Sequence, residues 1–187
     1  IKNLHKKYNG ITVVDDLSLS VNKGEVLGFL GPNGAGKSTT MKMITGFIEP
    51  TSGEIKIKDY LVTNLSYEVK KYIGYLPEGA PMYGEMTTYD FLLFIAKIRG
   101  VGKNNINNSI DSVITDLSLQ DVIYKRIEHL SKGFKRRVGI AQAIIHDPEI
   151  LIMDEPTDGL DPNQKYDVRE LIKKISKDKT IIVSTHI

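Results

Sequence analysis

The sequence predicts an α/β fold in which a block of helices is inserted into a core of strands and helices. Two observations indicate this arrangement. Strand-like and helical stretches alternate near both ends of the chain, whereas helical patterns dominate residues 79–145. In addition, Ile150–Met153 is an apolar run bounded by charged residues, which is typical of a central parallel strand. We therefore expect an α/β core with mixed strands and an α-helical subdomain.

The individual elements follow from hydrophobic periodicity and from the residues that begin and end helices. A glycine-rich loop leads into the first helix, and Gly46 ends it. Serine, threonine and asparagine stand where the later helices begin. The predicted strands cover residues 13–21, 25–30, 54–57, 73–76, 150–153 and 180–184. The predicted helices cover residues 37–45, 88–99, 106–117, 132–145 and 163–176.

The composition limits the classes of protein that the chain can represent. Its 187 residues suffice for one well-packed domain, with 41% hydrophobic and 26% charged residues. A formal net charge of +2 gives no support for nucleic acid as the main partner. The absence of cysteine excludes disulfides and thiol catalysis. No apolar run approaches 18 residues, so we expect no membrane span. Since Ile1 and Ile187 stand in or beside strand-like sequence, we expect a fragment that lacks the C-terminal end.

A phosphate-binding loop is predicted between the strand over 25–30 and the helix that follows it. The loop reads Gly31-Pro32-Asn33-Gly34-Ala35-Gly36-Lys37-Ser38 and matches the pattern G-x-x-x-x-G-K-[ST]. Glycines allow successive backbone N–H groups to approach phosphates, and the N-terminus of the helix favours the same anion. Lys37 supplies a cation for the β- and γ-phosphates, and the Ser38 hydroxyl is a ligand for Mg²⁺. The nucleotide contacts expected from this segment are Gly31, Asn33, Gly34, Ala35, Gly36, Lys37, Ser38 and Thr39.

Two carboxylates follow the apolar strand Ile150–Met153. Asp154 is predicted to support the Mg²⁺ shell, and Glu155 is predicted to polarise the attacking water. A further strand ends in Thr185-His186. Because the carboxyl ends of parallel strands meet near a bound ligand, we expect His186 to hydrogen-bond the γ-phosphate.

The order of these motifs resembles that of the ATP-binding cassette (ABC) proteins over essentially the whole chain. The segment Leu130-Ser131-Lys132-Gly133-Phe134 resembles the signature motif of the family and stands at the start of a predicted helix. In the family this site faces the ATP of a second subunit, so that two chains enclose two nucleotides head to tail. The resemblance implies nucleotide contacts for Ser131 and Gly133, and Lys132 between them is expected to add a cation at the same site.

Other residues acquire roles from the same resemblance. Tyr8 looks like the residue that stacks on adenine, and Asp158-Gly159-Leu160-Asp161 resembles the loop that links the two composite sites. We therefore expect Asp161 to contribute to cofactor binding. His186 corresponds to the switch histidine. The resemblance also divides the single domain over 1–187 into a nucleotide-binding core, residues 1–78 and 146–187, and a helical signature subdomain, residues 79–145.

Two positions depart from the family pattern. Glu78, in Tyr75-Leu76-Pro77-Glu78, stands where the family usually has glutamine. A glutamate there can still bind the metal and assist catalysis, with a full negative charge. Lys132 and Phe134 replace the more usual glycine and glutamine of the signature motif, whereas Ser131 and Gly133, which contact phosphate in the family, are retained.

The resemblance implies an Mg²⁺-dependent ATPase that powers a membrane exporter through ATP-driven dimer closure. Its motif forms look like those of the bacterial ABC-2-type exporter ATPases, which serve separate permease subunits in drug, antibiotic, polysaccharide or gliding-machinery export. The expected location is cytoplasmic, on the inner face of the cell membrane, and the apolar, turn-rich residues 79–84 are suited to receive a permease helix. The alternative is a soluble ABC ATPase that acts on ribosomes or DNA without a permease. A further alternative is a different P-loop enzyme, such as a kinase or GTPase, but the signature helix has no role in those enzymes.

Overall fold

The structure, a computed structural model, describes residues 1–62 and 67–185, without the side chains of residues 67, 68 and 177. Its architecture is α/β, as the sequence predicts. The strands are β1 (Lys2–Tyr8), β2 (Ile11–Leu17), β3 (Val26–Leu30), β4 (Ser52–Glu54), β5 (Lys56–Ile57), β6 (Tyr60–Leu61), β7 (Ile73–Leu76), β8 (Ile150–Met153) and β9 (Thr180–Thr185). The α-helices are α1 (Lys37–Ile44), α2 (Tyr67–Lys70), α3 (Thr88–Ile98), α4 (Ile106–Asp116), α5 (Lys132–Ile144) and α6 (Pro162–Ile175).

A four-stranded parallel sheet carries the functional loops. Its strand order is β3-β9-β8-β7, so β8 lies in the interior of the sheet as its apolar sequence predicts. All four strands run in the same direction, and their carboxyl ends therefore meet at one edge. The loop before α1, the carboxylates after β8 and the segment after β7 all begin at this edge. This topology brings together motifs that are more than 100 residues apart in the chain.

The parallel sheet has an apolar cluster on each face. Successive residues of β8 point to opposite faces, because side chains alternate along a strand. Leu151 and Met153 pack with helices α3, α4 and α5, whereas Ile152 packs with α1 and the N-terminal strands. An antiparallel sheet of order β2-β1-β4 covers the second cluster. Burial on both faces explains why β8 is apolar throughout.

Side-chain caps begin three of the helices. The Thr87 hydroxyl accepts a hydrogen bond from the Asp90 backbone at α3, and Ser131 and Asp161 do the same at α5 and α6. Asn105 stands at the N-cap of α4, as predicted, but its side chain makes no capping hydrogen bond. The caps of α5 and α6 matter for the site, since both helices begin in segments with predicted nucleotide contacts.

Two predicted strands have different limits in the structure. The strand predicted over 54–57 is wrong as a single element, because the chain changes partner at Ile55: β4 pairs with β1, and β5 pairs with β6. The strand predicted over 13–21 begins at Ile11 and ends at Leu17. Periodicity alone does not reveal such a change of partner, because both halves keep an extended backbone.

Candidate functional site

The loop between β3 and α1 is held tightly against β2. Gly36 stands at the N-cap of α1 with φ 83° and ψ 6°, a left-handed conformation that strains residues with a side chain. A Cβ at this position would lie only 2.6 Å from the carbonyl oxygen of Val13. Glycine is therefore required for two reasons, conformation and space. The result is a closed loop over the N-terminus of α1, where unpaired N–H groups and the helix dipole favour an anion.

A cavity of about 390 Å³ opens over this loop. It joins most of the predicted phosphate-loop residues to one carboxylate from each of two strand ends. The lining residues are Val13, Asn33, Gly34, Ala35, Gly36, Lys37, Ser38, Thr39, Glu78 and Glu155. Gly31 begins the loop and contributes through its carbonyl group. The cavity thus combines an anion-binding loop with two acidic groups, which is suited to a phosphate–metal complex.

Lys37 is held inside the cavity by groups of its own chain. Its side chain is 7% exposed, and its ammonium group donates to the carbonyl oxygens of Gly31 at 2.6 Å and Pro32 at 3.1 Å. The same Nζ lies 3.4 Å from Oε1 of Glu155, which is also buried. A buried charge pair is costly unless each partner is neutralised. The geometry therefore places the cation next to the carboxylate.

Asp154 is fully buried at the end of β8. Its Oδ1 accepts a hydrogen bond of 2.6 Å from the Ser184 hydroxyl, whereas its Oδ2 has no hydrogen-bond partner among the described residues. An unpartnered buried carboxylate oxygen is unfavourable, so a cation or a metal-bound water fits there. The hydroxyl of Ser38 provides a further oxygen in the adjacent cavity.

The donor set fits Mg²⁺ rather than a metal held entirely by protein. Within residues 1–62 and 67–185, no three His, Cys, Asp or Glu side chains form a ligand cluster. Mg²⁺ typically takes one or two carboxylates and completes its shell with water and phosphate oxygens. Ser38, Asp154 and Glu78 offer oxygens of the required kind.

The signature residues lie outside this cavity. Ser131 caps α5 by accepting a hydrogen bond of 3.3 Å from the Phe134 backbone, and both Ser131 and Lys132 are exposed. Gly133 packs against α6, where a Cβ would lie 3.1 Å from the Gln164 side chain. An exposed helix N-terminus that does not line its own chain's cavity is available to a facing molecule.

Of the three other predicted site residues, Tyr8 and Asp161 do not line the cavity, and His186 is not among the described residues. Tyr8 ends β1 with 43% of its surface exposed, and the Lys6 ammonium lies 4.9 Å from its ring centre. Asp161 is exposed, and its carboxylate accepts from the Gln164 backbone at 2.9 Å. His186 lies outside the described residues.

Comparison with known families identifies the fold to which this geometry belongs. The family described as "ABC transporter" matches residues 14–158. The chain belongs to the ABC transporter family. The resemblance predicted from the sequence motifs is thereby confirmed.

Relatives within the ABC family include transport and resistance proteins. The chain is 42% identical over 186 residues to the bacitracin transport ATP-binding protein BcrA of Bacillus licheniformis, covering 98% of this chain and 60% of the relative. It is 37% identical over 186 residues to the linearmycin resistance ATP-binding protein LnrL of Bacillus subtilis, covering 99% and 60%. The chain spans about 60% of the length of the curated relatives that it matches.

Solved ABC structures share the fold over the entire chain. An ATP-binding subunit of an ABC transporter superposes with a TM-score of 0.87 and 32% identity, covering 100% of this chain and 78% of that one. The cassette MJ0796, described as a dimer in a post-hydrolysis state bound to ADP and Pi, gives a TM-score of 0.88 and 26% identity, covering 100% and 87%. The α/β fold class is confirmed by both.

Two residues of this ABC cassette contribute to the site but were not predicted. The Ser184 hydroxyl donates to the Asp154 carboxylate and accepts from the backbone N–H of Glu155. Arg136, 8% exposed on α5, donates to the Asp158 carbonyl at 3.4 Å. Burial lowers the pKa of Arg136, while the negative charges of Asp158 and Glu78 act in the opposite direction. In the sequence, Ser184 was visible only as a polar residue in an apolar strand, and Arg136 only as part of the basic run Lys135-Arg136-Arg137.

Proposed function

We propose that this chain is the ATP-binding and ATP-hydrolysing subunit of an ABC exporter and that Mg²⁺ is its cofactor. The cavity over the phosphate loop carries this proposal, because it combines Lys37, Ser38 and Glu155 at the edge of one sheet. ATP supplies the anion that the loop favours. When bound, Mg²⁺ would neutralise charge on the phosphate oxygens, with Ser38, Asp154 and Glu78 as its protein ligands.

Hydrolysis requires the ion pair between Lys37 and Glu155 to separate. A γ-phosphate would compete for the Lys37 ammonium, which donates to the carbonyl oxygens of Gly31 and Pro32 and adjoins Glu155. Glu155 then orients a water molecule and accepts its proton at Oε1. The water oxygen bonds to the γ-phosphorus as the bond to the bridging oxygen of ADP breaks, which releases ADP and phosphate. We expect His186 to hydrogen-bond the γ-phosphate.

We infer that the working unit is a head-to-tail pair of cassettes. Ser131 and Lys132 are exposed and do not line the cavity of their own chain. In a pair, the N-terminus of α5 would complete the nucleotide site of the other subunit, with Ser131 and Gly133 near the γ-phosphate. Asp161 begins α6 beside this surface, since Gln164 contacts both Asp161 and the Gly133 position. Tyr8 would stack on adenine. Loss of the γ-phosphate then removes the link between the subunits.

An apolar groove on the surface is the observation that supports the proposal of a membrane partner. It has a volume of about 460 Å³ and lies beside the segment that follows β7. Three of its apolar side chains are well exposed: Phe47 at 72%, Tyr83 at 53% and Ile98 at 55%. Exposed apolar clusters of this kind indicate an interaction site. Its lining includes Phe47, Tyr75, Pro77, Pro81, Met82, Tyr83, Phe91, Phe94, Ile95 and Ile98.

The position of the groove links it to the nucleotide. Pro77 lines the groove, and the next residue, Glu78, lines the nucleotide cavity. We propose that a short helix of a separate permease docks there and senses closure of the cassettes through this segment. No helix within the described residues is long and apolar enough to cross a membrane. We propose that the permease docked at the groove holds this subunit on the inner face of the cell membrane.

Purification from native membranes tests this function. The full-length Glu155→Gln protein, bound to ATP, should retain its partners in a closed state, because turnover is blocked. A polytopic membrane protein in the purified complex is the expected result. Co-purification of ribosomes or DNA instead would support the soluble ABC alternative and contradict the exporter role.

A further inference from the structure

Ser184 is a buried hydroxyl in an otherwise apolar part of the parallel sheet. It stands on β9, between β3 and β8, and none of its surface is exposed. Ile181 and Ile182, three and two residues earlier on the same strand, are also buried. A hydroxyl at such a position is unfavourable unless its hydrogen-bonding capacity is used. The residue therefore requires an explanation in terms of its partners.

Both partners of Ser184 are residues of the proposed catalytic centre. The hydroxyl donates to Oδ1 of Asp154 at 2.6 Å and accepts from the backbone N–H of Glu155 at 2.9 Å. Consequently Oδ1 of Asp154 is occupied, and Oδ2 is the oxygen left without a partner among the described residues. One side chain thus determines which carboxylate oxygen is available to a cation.

The second hydrogen bond fixes an unusual backbone. Glu155 has φ 47°, in the left-handed region that side-chain-bearing residues adopt only when their surroundings impose it. Its amide is held by Ser184, and its carboxylate lies 3.4 Å from the Lys37 ammonium. The hydroxyl therefore anchors the turn that directs Glu155 into the cavity.

We propose that Ser184 is a positioning residue that orients the metal-binding carboxylate and the catalytic carboxylate together. It acts through Asp154 and Glu155 and does not contact substrate itself. This inference rests on the Mg²⁺ site proposed above. Outer partners of metal ligands commonly change metal affinity by about 10- to 100-fold when they are removed.

Nucleotide affinity with and without Mg²⁺ provides a test that does not depend on turnover. Calorimetric titration of the full-length protein with ATP in EDTA and with ATP in Mg²⁺ gives the factor by which Mg²⁺ strengthens binding. Ser184→Ala should keep the affinity in EDTA within about 2-fold and lose about 10-fold of the Mg²⁺ factor. Its kcat should fall by about 10- to 100-fold, because misplaced catalytic groups lower the rate steeply.

Two further variants distinguish the effect of losing the hydroxyl from the effect of altered packing in the strand. Ser184→Thr keeps the hydroxyl on the same strand and should recover most of the Mg²⁺ factor. Ile182→Val removes a methylene from the same buried strand without touching either carboxylate and should leave the factor unchanged.

The outcomes distinguish this inference from the proposed Mg²⁺ site. If Mg²⁺ strengthens binding to the wild type but Ser184→Ala has the same factor, the role of Ser184 is wrong. A loss that is equal in EDTA and Mg²⁺, or a Thr variant that behaves like Ala, also overturns it. Absence of any Mg²⁺ effect on wild-type binding would instead contradict the metal site itself and, with it, this inference.

Discussion

The nucleotide cavity and the apolar groove lie next to each other but are built in opposite ways. The cavity is formed by one continuous loop and by the ends of neighbouring strands, and its ion pair of Lys37 and Glu155 is buried, whereas Glu78 at its margin is exposed. The groove is formed by apolar side chains from separate elements, and Phe47 and Tyr83 are largely exposed. Buried, fixed charges suit chemistry, whereas exposed apolar surface suits a partner. The difference supports the proposal that hydrolysis and coupling reside in two separable regions.

The largest effect is expected from the carboxylate of the cavity. Glu155→Gln removes the group that accepts the proton from water, so ATP turnover should fall by about 10³-fold or more, while ATP affinity stays within a few-fold. Steady-state phosphate release and equilibrium nucleotide binding measure the two quantities. Glu149→Gln is the matched control, since Glu149 is an exposed acid paired with Lys58 at 2.7 Å. Wild-type turnover in Glu155→Gln would show that the cavity uses another base.

A second prediction concerns the backbone of the cavity. Gly36→Ala introduces a Cβ about 2.6 Å from the Val13 carbonyl and a strained left-handed alanine. The loop must shift, so ATP affinity should fall by about 100-fold. Binding of the partner at the apolar groove should be retained. Gly28→Ala in β3 is the control, because its Cβ would meet no atom within 4 Å. Fluorescent-nucleotide titration makes the comparison, and equal affinities for the two variants would refute the proposed role of this close contact.

A third prediction concerns His146, a partly buried residue outside the catalytic site whose protonation affects the stability of the fold. Burial, reinforced by the positive charge of Arg99, lowers the pKa of His146 to about 4, and its Nε2 lies 3.1 Å from the Ile73 carbonyl at the start of β7. Because the unfolded chain binds this proton more readily, stability should fall as the pH drops from about 6.5 towards 4. Between pH 7 and pH 5 the loss assigned to His146 is about 1–2 kcal/mol after allowance for partial exposure.

Urea denaturation at the two pH values checks this difference. His146→Asn keeps a side-chain donor for Ile73 but cannot be protonated, so its stability should change less between pH 7 and pH 5. The same pH dependence in both proteins would assign the effect to other groups.

The smallest effect is expected at the residue between the two regions. Glu78→Gln keeps an oxygen for the metal and removes one negative charge from the cavity. We expect turnover to stay within about 3-fold of wild type or to rise, with little change in partner binding. Complete inactivation, measured by phosphate release, would show that the carboxylate of Glu78 has an obligatory role.

The two regions also differ in how far the sequence alone predicts them. Most phosphate-loop residues and Glu155 were predicted to share a site, and the cavity does contain them, because consecutive residues and parallel strand ends fix their positions. The groove was anticipated only through residues 79–84. The contribution of Phe47 was not predictable, because its ring reaches Tyr75, at a centroid distance of 5.5 Å, only through the packing of α1 beside β7.

Contacts that depend on which elements lie next to each other were also not predictable from the sequence. The bridge from Ser184 to Asp154 requires β9 to lie beside β8, and the contact of Arg136 with Asp158 requires α5 to pack against the loop before α6. Sequence patterns predict the elements but give their neighbours only through motifs. Ser184 was visible merely as a polar residue in the last strand. Its hydrogen bonds became apparent from the arrangement of the sheet.

The most direct test of separable regions is membrane-protein capture by matched tyrosine variants. Tyr83 and Tyr124 are both exposed and each contacts another ring, but only Tyr83 lines the groove. Tyr83→Ser and Tyr124→Ser are each combined with Glu155→Gln, and the membrane protein retained with ATP is quantified. We predict loss of about 10-fold or more for Tyr83→Ser and none for Tyr124→Ser, with ATP binding equal in both. Equal capture by the two variants would contradict the assignment of coupling to the groove.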